Sequence, residues 1–402
     1  MKKIIISLLI IIVLGLIGVG FYTAYQNKIK STNDAPLVFA NNRMLLELWS
    51  RYKQTTLEPD SLRALDKTQN SITTSEGQSY TMMRAVWMDD IDTFETSWNW
   101  TKQNLQREDK LMSWKYGERP DGTYGVLTEQ GGQNAASDAD TDIALALIMA
   151  ANRWREQTYL DDARDIIDAV WENEIVTING KPILVANDLE KNNTESVIVN
   201  PSYLSPYAYK VFQKIDKDHD WNAVVDSSYE ILLDSADAPL DKGTGSGLTP
   251  DWIRIDRSNG AIIPAPEYTS NYGYEAIRTP WRMALDWKWY NDGRAKEVLQ
   301  KYTQVIGKNY AENGKLAAVY THDGLAAVDY ESPAMYGTIQ SYYDVVDPEA
   351  AKAFYEKQLL TYYEPDTQSW KEQLAYYDDN WVWFGMALHN DVLINLTEQT
   401  NE

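Results

Sequence analysis

Residues 136–154 read Ala-Ser-Asp-Ala-Asp-Thr-Asp-Ile-Ala-Leu-Ala-Leu-Ile-Met-Ala-Ala-Asn-Arg-Trp. Three acids, Asp138, Asp140 and Asp142, stand directly in front of an apolar run. Ser137 is a favourable N-cap type, which puts Asp138 and Asp140 in the first helical turn. Free N–H groups and the helix dipole favour carboxylates there. Ile143, Leu147, Ala151 and Trp154 recur at helical spacing, and Leu145, Ile148 and Ala150 widen the apolar face. A helix this apolar is buried almost all round, so the acids at its start demand a polar setting such as a water-filled cleft. The plainer alternative is an acidic first turn on an ordinary core helix. The rest of the chain decides between the two.

Working outward, helical patterns dominate. Segments 42–53, 79–88, 91–105, 138–155, 159–172, 203–213, 219–234, 275–290, 293–308, 333–345, 348–362 and 380–396 carry helical spacing. Strand signals are short and few, at 175–178 and 182–185. No Pro-, Gly- or Ser-rich break divides the chain after residue 40, which predicts one helical domain over 41–402 with function in loops at one end.

The N-terminus is different. Lys2 and Lys3 precede an uncharged apolar run from Ile4 to Ala24, matching the about 20 residues that span a bilayer. The run ends in Phe21-Tyr22-Thr23-Ala24-Tyr25, an aromatic edge rather than a small-residue cleavage site. The expectation is a signal anchor over 1–25 and a polar linker over 26–40, with the remainder outside the cytoplasm. Secretion after signal cleavage is the alternative.

Composition narrows the chemistry. The formal net charge is −22, which repels nucleic acid and anionic headgroups and disfavours a polyanionic substrate. There are no cysteines and only three histidines, His219, His322 and His389, far apart in the chain. Thiol chemistry is excluded, and zinc sites and His-based triads are disfavoured. Carboxylates are left to move protons. The chain carries 15 Trp and 27 Tyr against 6 Phe, rings that suit both helix packing and the faces of sugars.

Three segments hold the candidate acids. Ser75-Glu76-Gly77-Gln78-Ser79-Tyr80 sets a Glu beside Gly in a polar loop just before an apolar helix, where a buried carboxyl can act as a general acid or simply cap the helix. The 136–154 stretch is the second. In the third, Gly273-Tyr274-Glu275-Ala276-Ile277-Arg278, Glu275 and Arg278 at i, i+3 share a helix face and can pair among aromatics.

Together these segments resemble glycoside hydrolase family 8. The likeness runs in order through SEGQSYTMM, WNWTKQNL, ASDADTDIALALIMAANRW, NPSYLSPYAYKVF, LTPDWI, GYEAIRTPWRMALDW and YYDDNWVWFGMAL. It implies an all-α (α/α)6 barrel and an inverting, endo-acting hydrolase of a β-linked polysaccharide, with no cofactor and no metal. It implies Glu76 as general acid and Asp138 as the carboxylate that grips and distorts the sugar. Glu275 falls where many members carry an Asp as general base, with Asp251 as the reserve. The longer Glu bears on the room left for water between acid and base, about 6.5–9.5 Å in inverting enzymes. Tyr80, Trp114, Asp140, Trp252, Tyr274, Arg278, Trp281 and Tyr377 complete the expected substrate-binding set, with Asp140 and Asp142 also expected to hold the helix start and neighbouring loops in place. A tethered enzyme suits a cell-surface exopolysaccharide, in contact with its synthase complex. Two rivals remain: a catalytically inactive glycan-binding component of a polysaccharide export system, and a lyase, which the net charge disfavours.

Overall fold

A computed structural model describes residues 43–240 and 243–398. The expected anchor and linker lie outside the described residues. Among the described residues, no helix is long and apolar enough to cross a membrane.

Among the described residues, thirteen α-helices alternate between two environments. Six are buried on nearly every side: α2 (Ser75–Trp87), α4 (Ser137–Trp154), α6 (Pro206–Ile215), α8 (Arg278–Tyr290), α11 (Pro333–Val346) and α13 (Tyr376–His389). Between them come helices with one buried stripe: α1 (Arg43–Thr55), α3 (Ile91–Asn104), α5 (Gln157–Glu174), α7 (Trp221–Asp237), α9 (Gly293–Lys301) with its continuation α10 (Ile306–Asn313), and α12 (Pro348–Phe354). Each inner helix packs on the next, and α13 returns to α2, closing the ring of an (α/α)6 barrel. The apolar composition of the inner helices is what this arrangement demands, because they meet protein on both sides.

The inner ring is tight where glycine permits it. A Cβ at Gly337 of α11 would lie 2.2 Å from the Trp381 carbonyl oxygen, and one at Gly385 of α13 would lie 1.9 Å from that of Gly337. These two helices therefore meet backbone to backbone. Buried ion pairs also tie the ring. Arg84 donates to Asp379 at 3.0 Å, and Arg282 donates to both oxygens of Asp142 at 2.8 Å. Removing one partner of such a pair costs about 3–5 kcal/mol, because a charge is left buried alone.

The all-α expectation needs one correction. Among the described residues, ten short strands form four small antiparallel sheets, including β1–β2–β3 (Thr73–Thr74, Lys115–Glu118, Tyr124–Val126) and β6–β7–β8 (Ser196–Val199, Ile253–Asp256, Ile262–Ile263). They stiffen the loops between the helices. Several helix starts also shift. Helix α2 begins at Ser75 rather than residue 79, because the Thr74 hydroxyl accepts from the Gly77 N–H at 3.0 Å and caps it. Helix α13 begins at Tyr376 rather than residue 380. Ala136, not Ser137, is the N-cap of α4; the Ser137 hydroxyl instead donates to the Val185 carbonyl at 2.7 Å.

Candidate active site

The first turns of inner helices converge at one end of the barrel. Glu76 lies in the first turn of α2, Asp138 in that of α4, Arg278 begins α8 and Tyr376 begins α13. Both acids sit where a helix terminus stabilises negative charge.

Arg278 is the centre of the cluster and is 2% exposed. One terminal nitrogen donates to Glu76 at 2.6 Å and to Asp138 at 3.2 Å; the other donates to Glu275. Its Nε donates to the Ser202 hydroxyl at 3.2 Å, and its guanidinium lies 5.0 Å from the centre of the Tyr203 ring. A single positive charge cannot neutralise three carboxylates, so the cluster favours keeping protons. Burial raises the Glu76 carboxyl, against the opposing pull of Arg278 and the Tyr376 hydroxyl, which donates to Glu76 at 2.5 Å. Burial likewise pushes Asp138 up to about 7, with Arg278 pulling it down. Asp138 is 3% exposed and its Oδ1 has no hydrogen-bond partner. An unpaired acceptor of this kind is costly until a donor, such as a hydroxyl, fills it.

Glu275 is reached from a second side by Asn200, whose Nδ2 donates to it at 2.8 Å. It precedes α8 rather than riding on it, so its pairing with Arg278 crosses a turn. That turn hangs on Asp251. Its Oδ1 accepts from the N–H groups of Gly273, Glu275 and Ala276 at 3.0, 3.2 and 2.8 Å. A Cβ at Gly273 would lie 2.8 Å from the other Asp251 oxygen, so only glycine allows this approach. Asp251, expected as a reserve base, is thus the anchor of the loop that carries Glu275. Burial pushes it up to about 7 in spite of three N–H donors.

The expected binding residues divide. Trp114, Trp252 and Tyr377 are half-buried and Tyr274 is exposed. Trp252 stacks on Tyr268 at 4.8 Å, and the Tyr377 hydroxyl donates to the Tyr274 carbonyl. Tyr80 is buried beneath Glu76, edge-on to Trp381 and Phe384. Two expectations are corrected. Trp281 is 1% exposed, wedged among Trp87, Trp381 and Phe384 with its indole N–H on the Phe384 carbonyl, so it packs the core and cannot meet a substrate. Asp140 has no exposure, and its Oδ1 accepts from the Met112 N–H at 2.8 Å; it holds the neighbouring loop instead. The polar setting that the acids of 136–154 demand is supplied for Asp138 and Asp142 by arginines of α8.

Sequence reasoning missed Asn200, Ser202, Tyr203 and Tyr376 as site residues. The first three lie in the quoted NPSY, and Tyr376 stands beside Tyr377.

The match to the model of glycosyl hydrolases family 8 spans residues 22–364. The chain belongs to that family. Endoglucanase A of Acetivibrio thermocellus is 29% identical over 308 residues, covering 73% of this chain and 59% of that protein. The chain therefore spans little more than half the length of that relative. Among solved structures, the endo-1,4-D-glucanase of Vibrio fischeri ES114 aligns with a TM-score of 0.73 at 22% identity, covering 86% of this chain and 94% of the other. The β-1,3-1,4-glucanase of Paenibacillus sp. X4 aligns at 0.72 and 22% identity, covering 89% and 93%. These structural matches carry the fold.

Proposed function

We propose that the protein is an inverting, endo-acting glycoside hydrolase of a β-linked glucan-like polysaccharide, with Glu76 as general acid and Glu275 as general base. The observation that carries this reading is the arginine bridge, in which Arg278 holds Glu76, Asp138 and Glu275 together while burial raises the Glu76 carboxyl above its ordinary value. Glu76 gives its proton to the glycosidic oxygen as the bond to the anomeric carbon breaks. The departing chain leaves as a free hydroxyl. Water attacks the opposite face of that carbon and loses a proton to Glu275. One water is consumed for each bond cut, and solvent returns the proton from Glu275 to Glu76.

Asp138 Oδ1 accepts a sugar hydroxyl, which satisfies its unpaired acceptor and favours a distorted ring. Half-exposed Trp114, Trp252 and Tyr377, with exposed Tyr274, supply apolar faces for sugar rings. The names of the relatives, endoglucanases and a β-1,3-1,4-glucanase, favour a neutral β-glucan.

The apolar run Ile4–Ala24 anchors the enzyme in this reading, with Lys2 and Lys3 cytoplasmic and the catalytic end facing a polysaccharide at the cell surface, beside its synthase. Release of the full chain from membranes by detergent, but not by salt, checks the anchor.

The chemical test is Glu76→Gln, assayed on the neutral glycans hydroxyethyl cellulose, barley β-glucan and xylan. The expected result is loss of reducing-sugar release with an unchanged circular dichroism spectrum. Undiminished hydrolysis by the variant refutes the assignment. Binding of these glycans by the wild type without any product supports the inactive glycan-binding alternative.

A further inference from the structure

Glu275 poses a mechanical problem. Its side chain has one more rotatable bond than an aspartate at the same place, so a base there needs an anchor to present one oxygen to water. Arg278 supplies one donor, but it also serves Glu76 and Asp138.

The second donor comes from a segment the proposed mechanism has not used. Asn200 is 1% exposed and stands before the short 3-10 turn Pro201–Tyr203 that leads into α6. Its Oδ1 accepts from the Ser202 N–H at 3.0 Å and the Ser202 hydroxyl at 2.7 Å. The acceptor end of the amide is thereby used twice, and the donor end must face Glu275, where Nδ2 reaches Oε2 at 2.8 Å. The Ser202 hydroxyl, having donated to Asn200, accepts from Arg278 Nε at 3.2 Å. Arg278 closes the circuit by donating to the same Glu275 oxygen.

The four side chains form a ring in which every donor meets an acceptor. Asn200 donates to Glu275, Arg278 donates to Glu275 and Ser202, and Ser202 donates to Asn200. Turning the Asn200 amide over would set its carbonyl against a carboxylate oxygen and an NH2 against the Ser202 N–H, so the sense of the ring is fixed. Oε2 of Glu275 takes both donors, and Oε1 takes none from the described residues.

We infer that Asn200 is a positioning residue for the hydrolytic step, locking Glu275 through the Asn200–Ser202–Arg278 ring so that Oε1 alone receives the proton of the attacking water. This rests on the reading of Glu275 as the base. Arg278, Glu76, Asp251, Tyr203 and Tyr377 also face Glu275, and all remain in place when Asn200 is changed.

The test compares Asn200→Ala, Ser202→Ala and Glu275→Gln on barley β-glucan. Asn200→Ala is expected to lower kcat about 10- to 100-fold while KM moves less than about 3-fold, because transition-state alignment is lost and ground-state binding is not. Ser202→Ala, which frees the amide to rotate, lowers kcat by less, again with KM nearly unmoved. It carries the test if Asn200→Ala fails to fold. Wild-type kcat in both variants, or equal changes in kcat and KM, with Glu275→Gln inactive, overturns the positioning role alone. Wild-type activity in Glu275→Gln overturns the base assignment and the inference with it.

Discussion

Asp138 and Asp140 stand two residues apart in the first turn of α4, and the fold treats them in opposite ways. Asp138 meets a guanidinium and keeps one oxygen unpaired at the catalytic cluster. Asp140 meets a backbone N–H on one oxygen and nothing on the other. Behind it lies Glu174, at the end of α5, with no exposure and no partner for either carboxyl oxygen. Burial, and then the neighbouring acids, raise Asp140 and Glu174 well above the ordinary carboxylate range. Asp142, one turn on, is fully paired with Arg282. One short motif thus yields an acid at the arginine cluster, a buried acid that holds a loop, and half of a buried ion pair. The residue across the gap decides which.

The largest break in that contrast is Arg278→Met. It removes the positive charge from three carboxyl groups at once. Hydrolysis should vanish, and folding stability at neutral pH should fall by about 3–5 kcal/mol, with the penalty shrinking as the acids protonate at lower pH. Thermal melts across pH check this. Next comes the pair itself. Asp138→Asn should cost about 100-fold or more in kcat, because a carboxylate that helps distort the sugar is lost. Asp140→Asn keeps the acceptor for Met112 N–H and should hold kcat within about 3-fold. Equal losses in the two variants would erase the distinction.

Glu174→Gln should leave hydrolysis unchanged and act on stability alone. A group whose folded-state titration lies above its unfolded value has its stabilising contribution intact below the unfolded value, and loses it as pH rises toward the folded one. The variant carries no such loss. Its advantage over wild type should therefore be small near pH 5 and grow by up to about 1.4 kcal/mol per pH unit above that, read as a widening gap in Tm.

Much of this was legible before any coordinates. The helical period marks the inner helices, because helices buried on both sides are apolar all round. The Glu275–Arg278 pair was readable from its spacing. The start of α2 was not, since Ser75-Glu76-Gly77-Gln78-Ser79 is polar and contains glycine, and its helix depends on the Thr74 cap. The strand pair at 175–178 and 181–184 was legible, but the other strands, of two to four residues, are too short to show alternation. The ring of Trp281 was misassigned because sequence does not say which side of a buried helix meets the cleft. The arginine bridge joins residues 202 and 140 positions apart, a closeness only the fold creates.

The most direct test of the account is the configuration of the first product. Proton NMR of the wild-type enzyme acting on a soluble β-glucan, recorded before the new reducing ends equilibrate, should show the α-anomer appearing first. The β-anomer appearing first would contradict a single displacement by water between Glu76 and Glu275.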